Sequence, residues 1–151
     1  MITFAIEKMG DNLIELQDIF PLHYQELALN KDKVPLSPQY DVYLEREQAG
    51  SVLFVTARDK GVLVGYFIGF IAYGLHYSTC LTCTMDLFYI HPERRGTSEG
   101  FKLFKFVENE LKRRKIDRWF VGSKVSLPAD WLFEKLDFER VEVYYTKWLG
   151  G

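Results

Sequence analysis

The sequence predicts an α/β fold with a mixed, mostly antiparallel central sheet flanked by helices, and three observations carry that expectation. Two β-rich runs in "SVLFVTARDKGVLVGYFIGFIAY" flank Arg58-Asp59-Lys60-Gly61, where Asp-Lys-Gly supplies hairpin-turn residues. Further on, "FKLFKFVENELKRRK" sets Phe101, Phe104, Val107 and Leu111 on one helical face. A strand follows that helix, so an antiparallel meander leads into a β-helix-β crossover and the sheet becomes mixed.

The elements are read in chain order. "ITFAIE" alternates apolar and polar residues and makes a short strand. Asp11 or Asn12 then offers an N-cap, with Glu15 three residues after Asn12 as in a capping box. Leu13, Leu16, Ile19 and Phe20 give the first helix its apolar stripe, and Pro21 is expected to kink it or split it from "LHYQELALN". Two prolines make "KDKVPLSP" a loop, because each biases its predecessor away from helix. "QYDVYLEREQAG" reads as a second helix ended by Gly50. After the hairpin, a third β-run, "TCLTCTMDLFYI", ends at His91-Pro92, and the long helix carries its cations in the last turn, where they complement the helix dipole. "DRWFVGS" is the next strand, "PADWLFEKL" a short helix from near Pro128, and "VEVYYTKWL" the last strand. The predicted order is β-α-α-β-β-β-α-β-α-β.

With 151 residues, 48% hydrophobic and 16% aromatic, the chain fits one globular domain over residues 1–151 with one sizeable core. A formal charge of −2 gives no overall basic field, so nucleic acid is not an expected partner despite the local run Lys112, Arg113, Arg114, Lys115. "MITFAIEKMG" lacks a basic region followed by a long apolar run, and "VLVGYFIGFIAYGL" is too short and too rich in glycine to span a bilayer. A cytoplasmic protein with no membrane partner is expected. Cys80 and Cys83 form a lone C-x-x-C on an extended segment, where their odd spacing sends them to opposite faces, so no metal site is expected.

"ERRGTSEG", residues 93–100, stands between a strand and the long helix. That arrangement suits phosphate: N–H groups of the first turn point at the anion, the peptide dipoles favour negative charge, and glycine lets the backbone come close. On these eight residues alone, a plain polar turn is the competing reading.

The element order, together with "MDLFYIHPERRGTSEGFKLFKF", resembles the GCN5-related N-acetyltransferase (GNAT) family, in which a pyrophosphate loop Arg/Gln-x-x-Gly-x-Gly/Ala opens the third helix. That motif maps onto Arg95, Gly96, Thr97, Ser98, Glu99 and Gly100, and "WLFEKLDF", residues 131–138, resembles the family's "LYEKLGF". Within the family, "KDKVPL", "GYFIGFIAYGLHY" and "MDLFYIHPERRG" are most similar to divergent acetyltransferase-like proteins of tailed bacteriophages, which would place the protein in host cytoplasm.

The resemblance implies acetyl-CoA as cosubstrate in the gap where "TMDLFYI" and "WFVGS" splay. Its pantetheine would bond to the backbone of Leu87, Phe88, Tyr89 and Ile90, and its pyrophosphate to the N–H groups of residues 95 to 100. It implies direct attack on the thioester by the amine of a small molecule or protein. Asp86, in an apolar strand near the acyl site, is the first candidate for general base, with a backbone-bonded strand-end aspartate as the alternative. His76 in "GLHYST" is a second candidate, or a solvated loop histidine. His23 and Glu26 lie on the helical region that forms the acceptor wall.

Three departures stand out. Ser98 replaces the middle glycine and would be costly in a left-handed conformation. Phe133 stands where the family often carries a tyrosine that protonates the departing thiolate beside the cofactor, which leaves Tyr144, Tyr145, Ser123 or solvent as the acid. Asp137 replaces a glycine. Ser98 and Phe133 favour a second reading, a catalytically weak or inactive binding or structural module working through protein contacts in a phage particle or takeover complex. A nucleotide-hydrolysing loop is excluded because no Gly-Lys-Ser/Thr ends it. The aromatic last strand is expected to form an exposed edge that supports a homodimer.

Overall fold

In the computed structural model, which describes residues 1–96 and 98–151, five strands make one sheet. Strands β1 (Ile2–Ile6), β2 (Val52–Asp59), β3 (Val62–Tyr73) and β4 (Leu81–Ile90) pair antiparallel in chain order, and β5 (Arg118–Phe120) joins β4 in parallel. Thr97, one of the loop positions named above, lies outside the described residues. The β2–β3 hairpin closes through Lys60 at φ 50° and Gly61 at φ 82°, two successive left-handed residues whose twist matches that of the flanking strands.

The central strands are covered on both faces, which is why they read as nearly unbroken apolar runs. Leu53, Val55, Ala57 and Phe67 face α3 (Glu99–Arg113) and α4 (Asp130–Lys135), while Val52, Phe54, Tyr66 and Ile68 pack with residues of α1 (Leu13–Leu27) and with tyrosines of α2 (Tyr40–Gln48). Alternation along β2 thus divides one strand between two clusters. Phe104 holds α3 down, with ring centroids 4.6 Å from Phe88 and 5.8 Å from Phe67 in edge-to-face contact. Truncating so buried a ring typically costs about 3–5 kcal/mol.

Three local expectations are corrected. Pro21 does not split the first helix, since it lies inside an unbroken α1. Both Pro21 and Gln17, whose carbonyl loses its partner, are on the exposed face, so the freed carbonyl is open to solvent while Ile19, Phe20 and His23 anchor the helix on either side. The capping box is absent, because Arg58 captures its members: the guanidinium donates to Asn12 Oδ1 at 2.8 Å, to both Glu15 oxygens at 2.8 and 2.9 Å, and to Glu7. This network ties the start of α1 to β1 and β2.

The sixth strand is also missing. Residues 139–151 belong to no helix or strand, and Tyr144 and Tyr145 are 86% and 93% exposed. β5 is only three residues long, so the alternating pattern of "VEVYYTKWL" meets too little edge to build a ladder. Among the described residues the order ends β-α-β-α, and no helix is long and apolar enough to cross a membrane.

Candidate active site

The sheet opens where β4 outruns β5. Their parallel ladder covers Thr82 with Arg118, Cys83 with Trp119 and Thr84 with Phe120, then stops. From Met85 to Tyr89, β4 continues with no strand paired on its β5 side among the described residues. At the same point the ladder to β3 slips: Ile68 pairs with Leu87 but Gly69 with Met85, so Asp86 is an extra residue bulged from the strand. Gly69 is needed there, since a Cβ would stand 2.6 Å from Cys83 Sγ and 2.9 Å from the Phe67 ring.

The bulge turns Asp86 into a cavity of about 560 Å3 between the sheet and the α1–α2 region. Phe20, His23 and Tyr24 from α1, Tyr43 from α2 and Phe70 from β3 form its aromatic wall. The Tyr24 hydroxyl bonds the Val34 carbonyl at 2.6 Å and so pins the loop that closes one side. The Tyr43 hydroxyl donates to Asp86 Oδ2. Burial raises the Asp86 pKa above the usual aspartate value, while the Tyr43 hydrogen bond and the charge of Arg46 pull the other way. Burial and the adjacent Asp86 both raise Tyr43, so the proton of this pair resides on the phenol.

His23 lies deeper. Its Nδ1 is 2.6 Å from the Tyr66 hydroxyl and its ring stacks on Tyr89 at 4.9 Å. Burial pushes its pKa down to about 4, so the imidazole is neutral at pH 7 and shares one hydrogen bond with Tyr66, whose own pKa burial raises.

The segment after β4 presents backbone donors. The His91 ring accepts from the Glu93 N–H at 3.2 Å and caps a short 3-10 turn, Pro92–Arg94. Gly96 follows at φ 83°, and a Cβ there would meet nothing within 4 Å, so conformation rather than space demands glycine. Ser98, by contrast, has φ −85°, and the strain expected from its Cβ does not arise. The Lys102 N–H reaches the Ser98 carbonyl at 2.9 Å, which leaves the N–H groups of residues 99–101 without acceptors inside the helix.

Arg95 and Glu26 meet each other. The guanidinium donates to the Ile90 carbonyl at 2.7 Å and forks onto both Glu26 oxygens, one of them at 2.7 Å, which holds the Glu26 pKa down. Glu26 is not among the described residues lining the cavity. Arg94 is paired too, with Asp59 at 3.0 Å.

The other named positions are scattered. Leu87 lines the cavity and Tyr89 packs against His23, whereas Phe88 and Ile90 pack into the α3 cluster. Gly100 starts α3 opposite Phe88 and Leu132, where a Cβ would find ordinary contacts of 3.7–3.8 Å, and Glu99 beside it sits 3.7 Å from the Lys102 ammonium. His76 is exposed in the β3–β4 loop against Tyr77, away from the cavity lining. Tyr144 is exposed, and the nearby Glu142 carboxylate raises its pKa. Phe133 is buried among core rings, 5.4 Å from both Phe104 and Phe138, and Ser123 Oγ accepts from the Ala129 N–H at 2.8 Å. Tyr43, Arg46 and Lys124 line the cavity without having been singled out in the sequence, and Phe70, whose aromatic run reads as core or interface, lines it too. The i, i+3 spacing of Tyr43 and Arg46 on a helix was the only available signal.

The profile of the acetyltransferase (GNAT) family matches residues 16–138. None of the curated proteins compared matches the chain in sequence. An aminoglycoside acetyltransferase from an uncultured soil metagenomic sample superposes with a TM-score of 0.78 at 10% identity, over 99% of each chain. A predicted acetyltransferase with acetyl-CoA from Clostridium acetobutylicum gives 0.70 at 13% identity, over 99% of this chain and 97% of that one. Glucosamine-6-phosphate N-acetyltransferase from Arabidopsis thaliana gives 0.74 at 11% identity, over 99% of each chain. At these identities the likeness is one of fold.

Proposed function

The chain belongs to the acetyltransferase (GNAT) family, and from that premise we propose that it transfers acetyl from acetyl-CoA to an amine entering the cavity beside Asp86. The observation that carries this reading is the position of Asp86: a half-buried carboxylate on a bulge, two residues past the point where β4 parts from β5. The residues around that gap fit the cosubstrate. The unpaired edge of β4 suits the amides of an extended pantetheine arm, and the free N–H groups at the start of α3, with Gly96 ahead of them, suit a diphosphate.

Acetyl-CoA supplies the activated carbonyl; transfer forms the amide C–N bond and breaks the thioester C–S bond. Asp86 accepts the proton that the ammonium must lose, and its raised pKa makes it a better base than an exposed aspartate. Tyr43 occupies Oδ2 and fixes the carboxyl plane, while Oδ1 has no hydrogen bond among the described residues and is left to the amine. With Phe133 in the core, the thiolate takes its proton from solvent. Action in cytoplasm and closeness to phage-encoded members of the family are parts of the same proposal.

A thermal melt with acetyl-CoA, free CoA and ATP tests it. Ligand at about one hundred times its dissociation constant adds about 2.7 kcal/mol, a shift of several degrees at this size. A shift with acetyl-CoA followed by CoA release on adding amine is expected; no shift overturns the assignment. A second reading, a binding module without turnover, is favoured by Phe133 lying in the core and by Arg95 being tied to Glu26. An acetyl-CoA shift with no CoA release for any amine would support it.

A further inference from the structure

The lining of the cavity narrows the acceptor. Asp86 is the one carboxylate among its described lining residues. Most of the remaining surface is aromatic or aliphatic, with Phe20, Tyr24, Leu36, Val42 and Phe70 in the wall. The other charged residues in the described lining are cations: Arg46 on α2, whose charge acts on Asp86 and whose guanidinium lies 4.8 Å from the Phe70 ring centroid, and Lys124 in the segment after β5. His23, neutral at pH 7, adds no charge.

An acceptor with several ammonium groups would find a partner for one of them and repulsion for the rest, since an unpaired charge against apolar walls has lost its water without compensation. A hydroxyl-rich sugar would strip its hydroxyls of water against the same walls. A single ammonium on an apolar body suits the carboxylate and the apolar walls together: the head pairs with Asp86 and the body lies against rings that also favour a cation close by.

We propose that the acceptor is a monoamine with an aromatic or branched aliphatic body, its ammonium on Asp86 and its body against Phe20, Tyr24 and Phe70. The inference rests on the transferase reading for the chemistry, but not for the binding. Specificity is then set by what the cavity cannot hold: a second ammonium finds no further carboxylate among the described lining residues and meets Arg46 and Lys124 instead, and a hydroxyl-rich body loses its water against apolar walls.

The test uses the whole chain and three probes, 2-phenylethylamine, spermidine and glucosamine 6-phosphate. Each is titrated calorimetrically with CoA present, and CoA release from acetyl-CoA is measured in parallel. 2-Phenylethylamine is expected to bind at least about tenfold tighter than the other two, because the further ammonium groups of spermidine have no carboxylate there and the hydroxyls of glucosamine 6-phosphate lose their water against apolar walls. Asp86→Asn should remove that advantage by weakening 2-phenylethylamine about tenfold or more. Leu36→Asp, on an exposed part of the wall, should narrow the gap between 2-phenylethylamine and spermidine while the melting temperature stays near that of the parent.

Tighter binding of spermidine or glucosamine 6-phosphate overturns the proposal. So does a protein that is stabilised by acetyl-CoA yet binds none of the three. Binding of 2-phenylethylamine that survives intact in both variants also overturns it. If 2-phenylethylamine binds with the expected preference but no CoA is released, the transferase reading fails and the acceptor class stands.

Discussion

The hydroxyl of Tyr43, on a helix outside the sheet, donates its hydrogen bond to Oδ2 of Asp86 at the bulge of β4. This contact joins two residues 43 positions apart and orients the only carboxylate among the described residues lining the cavity. It also favours the charged form of Asp86 against the burial that disfavours it.

Tyr43→Phe removes that donor and keeps the ring. The Asp86 pKa should rise further, so the acid limb of the kcat/KM profile moves to higher pH while the plateau above it changes little. A profile identical to that of the parent protein would mean that Tyr43 has no hold on the base.

Asp86→Asn should lower kcat by about 10²- to 10⁴-fold, the usual contribution of a positioned base, with acetyl-CoA binding retained. Stability should not fall. A carboxyl whose folded pKa lies above its unfolded value takes stability away as pH rises through that interval, so at pH 7 the asparagine variant should melt no lower than the parent. A marked drop in melting temperature would instead make Asp86 a structural residue.

His23 gives the opposite pH dependence. Its folded pKa, about 4, lies below the ordinary 6.5, so its contribution is present above pH 6.5 and is lost as pH falls towards 4. The slope reaches at most about 1.4 kcal/mol per pH unit. His23→Gln keeps a hydrogen-bonding partner for Tyr66 and should flatten the stability curve between those limits, as read from urea melts at half-unit steps of pH.

Arg95→Ala should lose less than about 1 kcal/mol of stability, because its partner Glu26 is partly exposed. If the guanidinium also meets the diphosphate, acetyl-CoA affinity falls about tenfold, and Glu26→Gln, which frees Arg95, leaves affinity equal or better. Equal affinity in all three proteins would assign the diphosphate to backbone N–H groups alone.

Gly96→Ala meets no atom but must hold φ 83°. The cost is about 1–2 kcal/mol, or a melting temperature lower by about 3–8 °C at this size, and the re-aimed loop should weaken acetyl-CoA binding as well. An unchanged affinity would remove the loop from the cosubstrate site.

Much of the sheet could be read locally. The hairpin turn at Lys60 and Gly61, the apolar face of α3 around Phe104 and Val107, and the short helix at residues 130–135 all follow from periods and turn residues within a few positions of one another. Where a local signal failed, a distant group had taken the residues over. Arg58 lies 43 positions from Glu15 and 46 from Asn12, yet it decides that neither forms the capping box their spacing suggests. The segment from Val141 to Leu149 alternates like a strand, but pairing requires an edge, and a three-residue β5 provides almost none.

By itself the sequence determined the order of elements as far as α4, the hairpin between β2 and β3, and a glycine-bearing loop ahead of an amphipathic helix, because these are properties of neighbouring residues. The cavity was decided by tertiary structure alone. Phe20, Tyr43, Phe70 and Asp86 come from four elements, and none carries a local mark of facing the others. A slip of one residue in the β3–β4 register bulges Asp86 out of the strand, and only the packing of α1 and α2 against that face gives its carboxylate a partner in Tyr43 and a wall for an amine to lie against.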